Sequence, residues 1–236
     1  MTSPELSFAD RGKWLNIHAH KRLNSDEVVV MSCSPRMAVF AARTGDVPVS
    51  AGLHPWHLSP DTDLSSQLDL LAEATGFSGV VAIGEAGLDR AIDMPVIEQE
   101  KVFVAQAEVA AGTGRPVIIH CVRAIPDIIR LRKKFASAPP WIIHGFGGNE
   151  QEATQLIKHE IYISFGASLT GNRKKTLAAA RALPVEKVFF ETDEADIEVK
   201  EVYRVFSRFR GTDPDRLREQ VWDNFLNVFG SGEGSR

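Results

Sequence analysis

Cysteine is nearly absent from this chain. Cys33 and Cys121 are its two cysteines, far apart and without CxxC spacing, so they build no disulfide framework. Reduced thiols in a cytosol are the simpler reading, and a cytoplasmic location is expected. No apolar run is long enough and free enough of charge to span a membrane. The opening, Met1 to Asp10, lacks the basic segment and following apolar run of a secretion signal. A basic excess is missing too. The net charge of -4 excludes the broadly basic surface of a general nucleic-acid binder and leaves room only for a local basic cleft. No internal repeat or linker is visible.

What the chain does have is an alternation of apolar strands and amphipathic helices. Strands are expected at Trp14–Ile17, Val28–Met31, Val47–Ala51, Val80–Ile83, Pro116–Ile119, Trp141–Ile143, Ile161–Phe165 and Lys187–Phe190. Between them the 3.6-residue period places Leu64, Leu68 and Leu71 on one helix face, and Ile128, Leu131 and Phe135 on another. The last helix carries Leu217, Val221, Phe225 and Val228 on one side, with Asp213 as its N-cap and Pro214 in its first turn. Eight such units in 236 residues predict a single-domain α/β protein, a (β/α)8 TIM barrel. The segment Lys21 to Glu27 is too short for a crossover helix. Seven extended residues reach about 23 Å, enough only to return along a short strand. The barrel is therefore expected to be distorted near its start, with the first helix missing. Met1–Gly12 and Gly230–Arg236 read as loose ends.

Several of these strands run into potential metal ligands. Six of the seven histidines fall at expected strand ends: His18 and His20, His54 and His57 within Gly52-Leu53-His54-Pro55-Trp56-His57, then His120 and His144. Glu85 and Asp193 occupy two more ends. Imidazole and carboxylate together suit Zn, Mn, Fe or Mg. Residues two apart on a strand point the same way, so His18 and His20 can grip one ion. His120 and His144 could hold a second, and Glu85, with two oxygens, could bridge the pair. Asp193 lies across the barrel closure from His18 and His20, where it could bind metal and take a proton. Two such cations would lower the pKa of a shared water and stabilise both oxygens of a displacement.

From Asn16 to Phe229 the chain resembles the TatD family of metal-dependent hydrolases, within the amidohydrolase-like barrels. Asn16 to His20 matches the family's Asp-x-His-x-His, Gly52 to Pro55 its Gly-x-His-Pro, and Ile83 to Asp89 its Ile-Gly-Glu-x-Gly-Leu-Asp. Gln99, Phe103 and Gln106 fit the following pattern. Pro116 to His120 with Arg123, then His144, Phe146 and Gly148, then Glu191-Thr192-Asp193 complete it. The resemblance implies that His18, His20, Glu85, His120, His144 and Asp193 bind two divalent ions, Zn, Mg or Mn. It also implies cleavage of phosphodiester bonds, typically by a deoxyribonuclease acting from a 3′ end, with nucleic acid as substrate. Asn16 stands where the family has Asp, making its contact to the ligand shell neutral. After Asp193 the acidic Glu194-Ala195-Asp196-Ile197-Glu198 replaces a Pro-rich, Arg-Gly-containing loop, and its charge would repel phosphates. Arg90 follows Asp89 in place of an aromatic pair, removing a candidate base-stacking platform.

The remaining candidates are read as follows. His54 contacts substrate, supports a ligand, or is structural beside Pro55. Arg123 clamps a phosphate oxygen or pairs with Glu85 or Asp89. Asp89 is expected to orient groups within the site. His57 and His159 read as surface or loop residues, and Cys121 as packing. Of the two basic runs, Arg132-Lys133-Lys134 reads as a solvated face, and Arg173-Lys174-Lys175 as the better guide for an anionic strand. The leading function is a divalent-metal nuclease with Asp193 and Glu85 at its catalytic centre. The alternatives are a binuclear hydrolase of a small amide, lactone or phosphate ester, and a non-catalytic metal-binding scaffold.

Overall fold

The computed structural model describes residues 8–44, 47–59, 61–171 and 173–230. Eight parallel strands form one sheet in sequence order: β1 Trp14–Ala19, β2 Glu27–Cys33, β3 Val49–Ala51, β4 Val80–Asp89, β5 Val117–Val122, β6 Trp141–Ile143, β7 Ile161–Phe165 and β8 Val188–Phe190. A parallel bridge between Ala19 and Asp193 joins the first strand to the chain leaving the last, so the sheet nearly closes. Helices α1 Pro35–Thr44, α2 Leu64–Thr75, α3 Val96–Thr113, α4 Ile125–Lys134, α5 Glu150–Lys158, the short turn α6 Ala167–Thr170, α7 Lys174–Ala182, α8 Val199–Arg210 and α9 Pro214–Phe229 complete the barrel.

The first crossover has no helix, as its length requires. Trp14 pairs with Glu27, so residues 20–26 must carry the chain back the whole length of β1. Arg22 donates to the carbonyls of Asn24, Ser25 and Glu27, while Glu27 accepts from the amides of Leu23 and Asn24. Those bonds replace the ones a helix would have made internally. The β1–β2 register also slips between Asn16 and Ala19.

The strand β4 is longer than its apolar run suggests. Its pairing continues past Ile83 through Gly87 with His120 and Asp89 with Val122. Two glycines allow this. Gly84 has φ +136, and a Cβ there would lie 2.4 Å from the Ile118 carbonyl oxygen; at Gly87 it would lie 1.9 Å from that of His120. Glu85 is thus held within a strand, inside the barrel mouth, and not at a strand end.

The seam between β8 and β1 is sealed by α8 and α9. Tyr203 is fully buried, donates to the Leu15 carbonyl at 2.9 Å and packs on Phe190. Asn224 donates to the carbonyls of Val185 and Val188, and Trp222 to that of Lys13. Asp213 caps α9 through the amides of Asp215 and Arg216, with Pro214 in the first turn. The described part of the expected loose start, Phe8–Gly12, is a 3-10 turn whose Arg11 pairs with Asp223 at 2.8 Å; residues 1–7 and 231–236 lie outside the described residues. Arg132 is not on a solvated face: it is buried, with its guanidinium on the carbonyls of Phe135, Ala138 and Pro139 and over the Trp141 ring. No helix among the described residues is long and apolar enough to cross a membrane.

Candidate metal centre

Five histidines converge on Glu85. Its Oε2 lies 3.3 Å from His18 Nε2 and 3.8 Å from His20 Nε2. The same two imidazoles stand 3.6 and 3.5 Å from Asp193 Oδ1. Its other oxygen, Oε1, meets His144 Nε2 at 2.7 Å, His120 Nδ1 at 2.8 Å and His54 Nε2 at 3.0 Å. Each oxygen of one carboxylate therefore addresses its own set of histidines. Two groups of ligand atoms, each within 4.8 Å of one another, result: His18, His20 and Glu85, and His54, Glu85 and His120.

The backbone around these residues is built to hold them. Asp193 sits at φ 52, a left-handed conformation that Asp tolerates better than most side chains. It is pinned there by its amide on the His18 carbonyl and its carbonyl on the His20 amide. From α3, Gln99 and Gln106 lie seven residues apart and so on one face. Gln99 clamps both the amide and the carbonyl of Asp89, and Gln106 does the same for Leu53, just before His54. His54 Nδ1 accepts from the Trp56 amide at 3.1 Å, which leaves Nε2 to face Glu85.

A further shell of carboxylates stands behind the imidazoles. Asp89 Oδ2 lies 3.1 Å from His120 Nε2 and also accepts from Trp56 Nε1 at 2.7 Å. Glu191 Oε2 lies 3.5 Å from His144 Nδ1, while its Oε1 accepts from the Gly145 amide. Glu191 was legible only as part of Glu-Thr-Asp; nothing in the linear order shows that its side chain supports His144. Asn16 differs from expectation. It bonds the side chain and amide of Thr192, and among the described residues it bonds no histidine, so it steadies the segment before Asp193. Arg123 pairs with neither Glu85 nor Asp89; it is exposed at the end of β5, with φ 54. His57 is exposed at the mouth and His159 follows α5, outside the site.

Electrostatics tie these groups together. Burial alone would raise the pKa of Glu85, but the His144 charge and contacts with His120, His144 and His18 outweigh it and hold the carboxyl far below its usual range. Burial likewise disfavours the His144 imidazolium, yet the Glu191 and Glu85 carboxylates push its pKa well above 6.5. For His18, burial and repulsion by His144 are overcome by Asp193 and Glu85, and the net shift is upward. Contact with His18 lowers Asp193 against the effect of burial.

The residues fit divalent metal. Both ring nitrogens of His18 are buried and, among the described residues, without a hydrogen-bond partner, although carboxylate oxygens stand 3.3 and 3.6 Å from Nε2. Such a nitrogen is costly to bury unless something else satisfies it. A mixed imidazole and carboxylate donor set is suited to Zn, Mn or Mg.

The family model described as TatD related DNase matches residues 15–230. This chain belongs to the TatD family. It is 34% identical over 142 residues to the uncharacterized metal-dependent hydrolase YabD of Bacillus subtilis, covering 58% of this chain and 56% of that one. It is 33% identical over 149 residues to the 3'-5' ssDNA/RNA exonuclease TatD of Escherichia coli, covering 61% and 56%. Each match thus spans little more than half of the relative's length. The crystal structure of the TatD homologue YjjV from Escherichia coli superposes with a TM-score of 0.79 at 22% identity, over 93% of this chain and 99% of that one, so the barrel is the family's fold.

Proposed function

We propose that this chain is a binuclear metal-dependent phosphodiesterase acting on single-stranded nucleic acid. The observation that carries this reading is the division of Glu85, with Oε2 facing His18 and His20, which also meet Asp193, and Oε1 facing His120, His144 and His54. One divalent ion would be held by His18, His20, Glu85 and Asp193, and the other by Glu85, His120 and His144, with His54 as an added donor. Bound there, the pair would supply Lewis acidity, offset developing charge on the phosphate and lower the pKa of water between them. Asp193 is half exposed and ionised, so it can accept the proton that the attacking water gives up. Arg123, exposed and with no ion pair among the described residues, would meet a non-bridging phosphate oxygen. The exposed Arg173-Lys174-Lys175 run lies at the start of α7, where it would guide an anionic strand. The relatives' names, 3'-5' ssDNA/RNA exonuclease among them, support this substrate class.

The acidic segment after Asp193 repels phosphate less than its sequence suggests. Asp196 pairs with Lys21, and Glu198 accepts from Asn24, leaving Glu194 on the cavity wall. That wall holds no lysine or arginine, which favours the second reading, hydrolysis of a small uncharged ester, amide or lactone at the same centre. We place the protein in the cytoplasm as one domain; Cys33 and Cys121 are both free, and burial pushes their thiols up to about 11 and about 12.

The test is shortening of a 3′-labelled single-stranded DNA and RNA by chelator-stripped protein refilled with Mg, Mn or Zn. Cleavage with metal, lost in His18→Ala and Asp193→Asn, is expected. Binding of two ions without cleavage of either strand would move the substrate to the small-molecule class.

A further inference from the structure

The cavity beside the metal centre has two chemically different ends. One is the cluster of histidines and carboxylates described above. The other is formed where β2 and β3 end, by Ser32, Cys33, Ser34, Trp56 and His57. The whole cavity, histidine cluster included, has a volume of about 240 Å³, below the roughly 300–1,000 Å³ of sites that enclose a whole drug-sized ligand. The space suits one ring system and not a length of strand. Among the described residues no lysine or arginine lines the cavity, so this end offers no permanent cation to a phosphate. The Cys33 thiol stays neutral and donates to the Ser50 carbonyl.

Trp56 dominates the mouth of this end. The indole is 60% exposed, unusual for so large an apolar side chain in this protein. It is also fixed. Nε1 donates to Asp89 Oδ2 at 2.7 Å, and the rings of His54 and His120 meet it nearly edge-on at 5.0 and 5.6 Å. An aromatic plane held rigid yet left open, next to a centre that handles phosphate, has the properties of a stacking platform. Arg90, at the position where the family's aromatic pair is absent, does not compete for this role, because it is tied to Asp127.

We propose that Trp56 is the nucleobase platform of this enzyme: the base next to the scissile phosphate stacks on the indole, with the neutral Ser32–Ser34 wall beside it. This rests on the nuclease reading and specifies where that substrate's base lies. A terminal nucleotide of a single strand fits such a place; a paired base would bring its partner strand into the same small cavity.

The experiment compares hydrolysis of a base-bearing single-stranded oligonucleotide with that of an otherwise identical strand of abasic tetrahydrofuran residues. The full chain is used, loaded with whichever of Mg, Mn or Zn supports cleavage, as wild type, Trp56→Phe and Trp56→Ala. Stacking on an aromatic side chain corresponds to a preference of about 5- to 150-fold in kcat/KM for the base-bearing strand. Wild type is expected to show it, Trp56→Phe to keep an intermediate preference, and Trp56→Ala to bring the ratio near one. The ratio separates stacking from a purely structural role, because loss of the Nε1–Asp89 bond disturbs His120 for both strands alike and is common to both variants. An active wild type with no preference, or a preference untouched in Trp56→Ala, overturns the platform alone. A wild type that cleaves neither strand overturns the nuclease reading, and the platform with it.

Discussion

Replacing Glu85 with Gln keeps the shape of the side chain and removes the charge on which the whole cluster converges. In the metal-free protein, the carboxylates around His18 and His144 raise their pKa values against the effect of burial. Glu85 Oε1 alone meets three imidazole nitrogens at 2.7, 2.8 and 3.0 Å, and the carboxylate is 6% exposed. Breaking a buried pair by removing one partner costs about 3–5 kcal/mol. Glu191 remains beside His144 and Asp193 beside His18, so the lower end of that range, about 3 kcal/mol, is expected.

The sign with pH follows from linkage. Glu85 has a lowered folded pKa, so its contribution is present above the ordinary 4.5 and is lost as pH falls through the folded value. His18 and His144 have raised folded values, so their contribution is complete below 6.5 and is lost as pH rises through those values. The penalty of Glu85→Gln should therefore be largest between about pH 4.5 and 6.5 and shrink on the alkaline side. Urea denaturation of chelator-treated wild type and variant, stepped from about pH 5.5 to about pH 9, measures this directly. With metal, wild type should take two ions per chain and the variant at most one. A penalty that is the same at every pH, or a variant that still binds two ions, would refute the bridging account.

Three other changes probe the supporting structure. Glu191→Gln removes the charge behind His144 Nδ1 and should weaken metal affinity about 10- to 100-fold in a competitive chelator titration, with little change in the fold. Gly87→Ala drives a methyl group to within 1.9 Å of the His120 carbonyl oxygen, so β4 and β5 must part; a loss of about 3 kcal/mol or more in urea denaturation, together with weaker metal binding, is expected. Tyr203→Phe leaves the Leu15 carbonyl unmet on the far side of the seam and should cost about 1–3 kcal/mol of stability while metal stoichiometry stays at the wild-type value.

The strands were legible because each is an apolar run between polar segments, and the ligands because those runs meet His, Glu or Asp. What periodicity could not show was side-chain direction across the barrel. His54 could be read three ways from its neighbours; its place opposite Glu85 depends on the Trp56 amide occupying Nδ1 and on Gln106 fixing Leu53. Glu191 and Asp89 flank His144 and His120 only after strands separated by dozens of residues come into register. The length of β4 was hidden because its apolar run stops at Ile83, beyond which Gly84 and Gly87 permit close approach to β5. Arg132 looked solvated within a basic run, although carbonyls at the end of α4 and the Trp141 face draw it inward.

Two of the chain's departures from the family pattern turn out to be one feature. The helixless turn after β1 and the acidic stretch after Asp193 lie far apart in sequence, and each alone reads as a defect, one in packing and one in charge. In the fold the closure of the barrel brings them together, since Ala19 and Asp193 are bridged. Lys21 then pairs with Asp196 and Asn24 bonds Glu198, so the shortened turn is covered by the acidic segment and the acidic segment is partly neutralised by the turn. The Lys21 pair, 39% and 88% exposed at its two side chains, adds little stability. Its consequence is spatial: Asp196 is held against the turn after β1. Glu194 is left as the acidic residue of this segment that lines the cavity, on the wall where a neutral group is to be seated.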